Sequence, residues 1–90
     1  MYHLIFPDSY KKLEKRFFKK HNDLKSKYLK MLQLLMADPY HPSLRLHKLN
    51  SPLEKFYSIS LDMKYRVIID FIIKEKQIIF LKIDIHDKIY

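Results

Sequence analysis

Ninety residues, 48% of them apolar, are enough for a single domain over 1–90 that buries roughly 60 to 70% of its unfolded surface. Eighteen Lys plus Arg against ten Asp plus Glu leave +8 with the histidines neutral, a field that gathers nucleic acid or an acidic protein and that also serves as a lysine-rich, solubilising surface. Without cysteine there is no disulfide frame, thiolate nucleophile or thiolate metal site, and no stretch reaches the roughly 18 apolar residues of a membrane span.

The apolar run in MYHLIFPDSY is too short for a signal peptide, so a cytoplasmic location without membrane contact is expected. Tyr2 to Phe6 reads as a short strand stopped by Pro7, and Asp8 and Ser9 are candidate N-caps for a helix that follows at once. Tyr10, Leu13 and Phe17 recur at helical spacing. His21, Asn22 and Asp23 interrupt the pattern before Leu24, Tyr28, Met31, Leu32, Leu35 and Met36 resume it. That predicts two antiparallel helices or, since the break holds neither Gly nor Pro, one long kinked helix. Nine basic and two acidic residues between Lys11 and Lys30 cover a solvated face.

DPYHPS, from Asp38 to Ser43, ends the helical region through two prolines and holds His41 in a loop. LRLHKLN then reads as a short strand with His47 and Lys48 near its end, Ser51 and Pro52 as a turn, and FYSISL (Phe56 to Leu61) as a strand with Tyr57, Ile59 and Leu61 on one face. A turn at Asp62 to Lys64 leads into YRVIIDFIIKEKQIIFLKIDIHDKIY.

In that last stretch the odd positions Tyr65, Val67, Ile69, Phe71 and Ile73, and again Ile79, Leu81, Ile83 and Ile85, are all apolar, the period of two strands burying one face. The even positions place Arg66, Ile68 and Asp70 opposite a neighbour carrying Phe80, Lys82, Asp84 and His86. Directly opposed residues share a face, so a two-residue loop at Glu75 and Lys76 is disfavoured and a three-residue loop, Glu75 to Gln77, is expected. This register sets Arg66 opposite His86, although the loop lacks the glycine such turns favour. The element order predicts an α+β domain: an N-terminal strand and a two-helix hairpin packed on a mostly antiparallel sheet of four to five strands.

LHKL at Leu46 to Leu49, FYSISL followed by YRVII at Tyr65 to Ile69, and the ending IDIHDKIY occur in this order on a small basic chain. Together they resemble the RelE/ParE superfamily of toxins from bacterial type II toxin-antitoxin pairs, most closely the RelE- and YafQ-like branch of ribosome-dependent mRNA interferases. The resemblance implies a RelE-like fold, no cofactor, an antitoxin partner with an acidic segment, and mRNA on the ribosome as substrate. It places Arg66 at the strand arginine that contacts the reacting phosphate, His86 at the terminal histidine used in proton transfer, and Tyr90 at the terminal aromatic. His47 matches the histidine of the central motif, with Lys48 a cation beside it. Departures fall at Ser60, where the branch carries a further histidine, at Lys64, where it has an aspartate, and at Asp84, which replaces a glycine.

A metal-free ribonuclease must deprotonate the 2′-OH, stabilise charge on phosphorus and protonate the 5′-oxygen. His47 and His86 suit the proton steps in either order, Arg66 and Lys48 suit the phosphate, Tyr90 suits base stacking or proton donation, and Lys64 and Lys82 add phosphate-binding charge. No acidic cluster suits Mg²⁺. Arg66 also reads as a structural bridge to Asp84 or Asp70, and the terminal His86, Asp87 and Tyr90 as an exposed tail. As a polar-face residue, Arg66 is expected to be replaceable without unfolding the domain. Two other functions compete: a ParE-like toxin that inhibits DNA gyrase without catalysis, and a basic RNA-binding module.

Overall fold

The structure, a computed structural model, describes residues 1–50 and 55–85. Strand β1 (His3–Ile5) leads into helix α1 (Asp8–Lys20), a 3₁₀ turn (Asn22–Leu24) and helix α2 (Lys25–Ala37). After a second 3₁₀ turn (Pro42–Leu44) come β2 (His47–Lys48), β3 (Tyr57–Ser60), β4 (Tyr65–Ile72) and β5 (Gln77–Ile85). The five strands form one sheet in the order β1-β5-β4-β3-β2, with β1 parallel to β5 and the other pairs antiparallel. The expected α+β architecture is therefore present, with two helices divided by a 3₁₀ turn rather than one kinked helix.

Helix α1 starts one residue earlier than the capping chemistry suggested. Pro7 occupies the N-cap position without a side-chain cap, and Asp8 lies in the first turn, where its charge suits the helix dipole. Tyr10 of α1 and Tyr28, Met31 and Leu35 of α2 are buried against Val67, Ile69, Phe71, Ile78 and Phe80 of the sheet, so both helices lie on one sheet face. Phe6 and Tyr10 close on Phe80 at centroid distances of 4.6 and 5.2 Å. Tyr28 donates to Glu14 Oε2 at 2.5 Å and lies 2.7 Å from the Tyr10 hydroxyl. Since Tyr28 has a single proton and gives it to the carboxylate, Tyr10 is the donor to Tyr28, and the relay joins α1 to α2 through the core.

The β4–β5 hairpin differs from the sequence expectation in loop, register and face. The loop is Ile73 to Lys76, closed by Lys76 N–H donating to the Ile73 carbonyl at 3.2 Å, with Lys76 in the left-handed region at φ 53°. Ile73 is therefore exposed rather than on the core face. This loop pairs Ile72 with Gln77, Phe71 with Ile78 and Ile69 with Phe80, which joins odd to even positions. The core face of early β5 is thus even, Ile78 and Phe80, and not odd as the alternation implied. A bulge then inserts Leu81 between the partners of Ile69 and Ile68, and beyond it Val67 pairs with Ile83 and Arg66 with Asp84. Arg66 faces Asp84, so the expected pairing with His86 is displaced by two residues; His86 itself lies outside the described residues.

Burial, the largest effect, together with the neighbouring charge of Glu14, raises the hydroxyl pKa of Tyr10 and Tyr28 well above the ordinary phenol value near 10. Both groups favour the fold only while protonated. Their contribution to stability should be constant below about pH 10 and fall as pH rises from there towards the raised folded values, where the unfolded chain alone ionises readily. Tyr28→Phe, which strands the Tyr10 hydroxyl, should destabilise the protein by about 1 to 3 kcal/mol in urea unfolding at neutral pH and make the alkaline loss shallower. An unchanged urea midpoint would show that the relay carries no stability.

Candidate functional site

Alternation along β3, β4 and β5 sends one set of side chains towards the helices and the other to the far face of the sheet. The cross-strand register arranges the far face in two rows. One runs His47, Ser58, Ile68, Lys82; the other runs Ser60, Arg66, Asp84. Arg66 and His47 therefore share a face, linked through Ser58, which pairs with His47 and bonds to Arg66.

Arg66 is only 4% exposed and Ser58 is fully buried. Arg66 Nε donates to Ser58 Oγ at 3.0 Å, and Nη2 donates to the Arg45 carbonyl at 2.7 Å with a longer contact to the Ser58 carbonyl at 3.5 Å. The Arg45 carbonyl reaches this position through the turn before it. His41 Nδ1 accepts from the Ser43 N–H at 3.2 Å, Pro42 to Leu44 make one 3₁₀ turn, and Arg45 ends it in the left-handed region at φ 49°, ψ 50°. That conformation costs a non-glycine residue about 1 kcal/mol, and here it turns the chain into β2 and aims a main-chain acceptor at the guanidinium. The arrangement fixes the plane of a guanidinium in surroundings of low dielectric, where its field is screened far less than at a surface. Arg66 is consequently not the dispensable polar-face residue that alternation suggested. Truncating it vacates buried space and takes a donor from Ser58 and Arg45.

His47 is exposed at the sheet edge beside Ser58. Lys82 is in the same row three strands away, about 14 Å by strand spacing, and makes a 3.3 Å ion pair with Asp84. Its half-exposed ammonium gains little stability from that pair. Lys48 pairs with Tyr57 and so belongs to the helix-side face. Lys64 is exposed in the β3–β4 turn with Nζ 5.4 Å from the Tyr65 ring, whose other contacts are Phe17 and His21 on the helix side. The structure thus groups His47, Arg66 and, further across, Lys82, and sets Lys48 and Lys64 apart from them. His86, Asp87 and Tyr90, and the Ser51–Pro52 turn, lie outside the described residues. Ser60, where the family resemblance leads one to look for a histidine, donates to the Asp62 carbonyl at 3.0 Å and closes the β3–β4 turn.

Neither protein-family models nor curated protein sequences match this chain. Solved structures do. YafQ from Escherichia coli superposes with a TM-score of 0.77 at 16% identity, covering 100% of this chain and 99% of that one. The chain has the YafQ toxin fold. A metal-bound toxin from Helicobacter pylori gives 0.77 at 20% identity over 100% of both chains, and the E. coli DinJ-YafQ complex gives 0.76 at 16% identity, covering 100% of this chain and 99% of that one. Among the described residues no group of three His, Asp or Glu side chains is arranged to hold a metal ion, and no helix is long and apolar enough to cross a membrane.

Ser58 and Arg45 were missed by sequence reasoning. Ser58 shares the parity of Arg66 within FYSISL, which was a usable signal; Arg45 acts through its carbonyl, which no side-chain pattern reveals. Ser58→Ala removes the Nε acceptor from a buried guanidinium and should destabilise the domain by about 1 to 3 kcal/mol, measured by urea unfolding. Ser60→Ala, on a partly exposed turn, should cost less.

Proposed function

We propose that this protein is the toxin of a type II toxin-antitoxin pair and acts as a ribosome-dependent endoribonuclease on mRNA. The observation that carries the reading is the buried Arg66 guanidinium, clamped by Ser58 and Arg45 on the same sheet face as His47, in a chain with the YafQ fold. The comparison structures support it further: one is named a metal-bound toxin, and the E. coli DinJ-YafQ assembly is named a toxin-antitoxin complex.

In-line attack by the 2′-oxygen forms the 2′-O–P bond and breaks the bond from phosphorus to the 5′-oxygen, leaving a 2′,3′-cyclic phosphate. One general base takes the 2′-OH proton and one general acid supplies the proton to the 5′-oxygen. We assign one of these transfers to His47, which shares the sheet face of Arg66, and take His86 or Tyr90 as the candidate for the other. Arg66, whose orientation is fixed before substrate arrives, stabilises the charge that grows on the phosphate oxygens. Lys82, on the same face and ion-paired to Asp84, is a candidate for a further phosphate contact, while Lys48 on the helix-side face and Lys64 in the β3–β4 turn add charge outside it. Dispersed charge holds RNA without setting one phosphate in line, so the ribosome supplies the positioning. The acidic antitoxin segment neutralises the same positive field.

His47→Gln, an exposed substitution, should lower cleavage by about 100 to 10,000-fold. Arg66→Lys should lower it by about 100 to 1000-fold, or about 3 to 4 kcal/mol of transition-state stabilisation. Primer extension on an mRNA during translation reads both, with circular dichroism confirming the fold of each variant. Folded variants that cut like the parent would sink the assignment of this face. Robust site-specific cutting of naked RNA would sink ribosome dependence, and growth arrest without cleavage but with gyrase inhibition would replace the enzyme by a ParE-like toxin.

A further inference from the structure

The chain between α2 and β2 is ordered beyond what its burial requires. Tyr40, His41, Pro42 and Ser43 are exposed, so water can satisfy their polar groups. Every N–H from Tyr40 to Arg45 is nonetheless bonded inside the segment. Tyr40 N–H donates to Asp38 Oδ1 at 3.0 Å, His41 N–H to the Asp38 carbonyl at 3.1 Å, and Ser43 N–H to His41 Nδ1 at 3.2 Å. Leu44 N–H donates to the His41 carbonyl at 3.0 Å and Arg45 N–H to the Pro42 carbonyl at 3.1 Å.

His41 joins this ordering to Arg66. Its Nδ1 accepts a main-chain N–H, which requires a lone pair there, so the Ser43 hydroxyl 2.8 Å away is the donor in the second contact. One ring nitrogen thus takes both donors of Ser43 and closes the 3₁₀ turn at its start. Leu44, 2% exposed, pins the end of the turn in the core. Arg45 comes next, left-handed at φ 49°, with its carbonyl on Arg66 Nη2 at 2.7 Å. An arginine has no intrinsic preference for positive φ, so the turn before it and the bond its carbonyl makes sustain that conformation.

We infer that His41 is a positioning residue for the cleavage reaction: through Ser43 and the turn it aims the Arg45 carbonyl, and so sets the Arg66 guanidinium towards the substrate phosphate. This rests on the function proposed above, in which Arg66 meets that phosphate. His41 acts here as a hydrogen-bond acceptor, and a side-chain oxygen in the same place does the same work. Asparagine supplies one, because its Oδ1 can take the N–H two residues on, as Asp38 Oδ1 takes that of Tyr40. His47 differs in this respect, since proton transfer needs the imidazole itself.

The test uses the whole chain in excess over ribosomes programmed with one mRNA, and reads the cleavage rate at saturation and the concentration giving half that rate. His41→Ala should lower the saturating rate about 10 to 100-fold, as a displaced catalytic group does, and leave half-saturation within about twofold. His41→Asn should return the rate to within about threefold of the parent. Arg45→Gly and Arg45→Val both remove the side-chain charge, so their ratio reads the backbone alone; the valine variant, which resists positive φ, should be at least about tenfold slower. Tyr28→Phe, a destabilising change on the helix side of the sheet, should leave the saturating rate of the folded protein unchanged. A second measurement does not depend on cleavage. In ¹⁵N-labelled protein the Arg66 Nη signals stay separate while rotation of the guanidinium is hindered, and they should merge in His41→Ala and separate again in His41→Asn.

A saturating rate indifferent to His41→Ala, or a loss that His41→Asn does not restore, overturns the inference. So does a shift in half-saturation alone, since His41 then serves binding. Should the parent cut no mRNA while the Nη signals respond to His41→Ala, the ribonuclease reading falls and the hold of His41 on Arg66 stands. Nη signals indifferent to the substitution overturn that hold whatever the protein cuts.

Discussion

The buried hydroxyl of Tyr10 is the constraint on which the arrangement of layers depends. Its ring packs on Phe6 and Phe80 while its proton is committed to Tyr28, and through Tyr28 to Glu14, so one side chain sets α1 against β5 and against α2 together. A phenol in that position has no water to fall back on, and its partner must be present for the core to close. Using Tyr28, Met31 and Leu35 for this closure fixes how α2 is rotated, and the same rotation turns Leu29 outward.

The sheet divides the molecule into unlike halves. On the helix side the contacts are aromatic and aliphatic, and the polar atoms among them are tied to one another. On the far side a guanidinium is buried and held by a serine and a main-chain carbonyl. Holding an arginine this way costs stability that an apolar side chain would not cost, since a charge is moved out of water. Arg66 is thereby the cation of fixed orientation on this face, whereas the lysines are exposed, and the proposed function is anchored on it for that reason.

Much of the fold was legible because its periodicities were unambiguous. The helical spacing of Tyr10, Leu13 and Phe17 and the alternation of Val67, Ile69 and Phe71 each had one dominant apolar face. β5 had none. Ile78, Ile79, Phe80 and Leu81 are consecutive, a run that is apolar on both faces and therefore silent about parity, and the bulge at Leu81 then changes the parity midway. A four-residue loop with Lys76 at positive φ was equally hidden, since lysine carries no signal for that conformation. Arg66 was found through alternation and the family resemblance, but its burial was not, because partners such as Arg45 and Ser58 arrive from elsewhere in the chain.

The parallel pairing of β1 with β5 joins the start of the chain to residues 77–79. While the polypeptide is being made, β1 has no neighbour, Tyr10 has no Phe80 to pack on, and α1 and α2 have no complete sheet beneath them. Contacts this distant in sequence form late and all at once rather than piece by piece. Neither the edge pairing of β1 nor the ring contact of Tyr10 with Phe80 can therefore form until residues 77–80 have been synthesised, so the N-terminal strand and helix wait on the β5 hairpin for their closure.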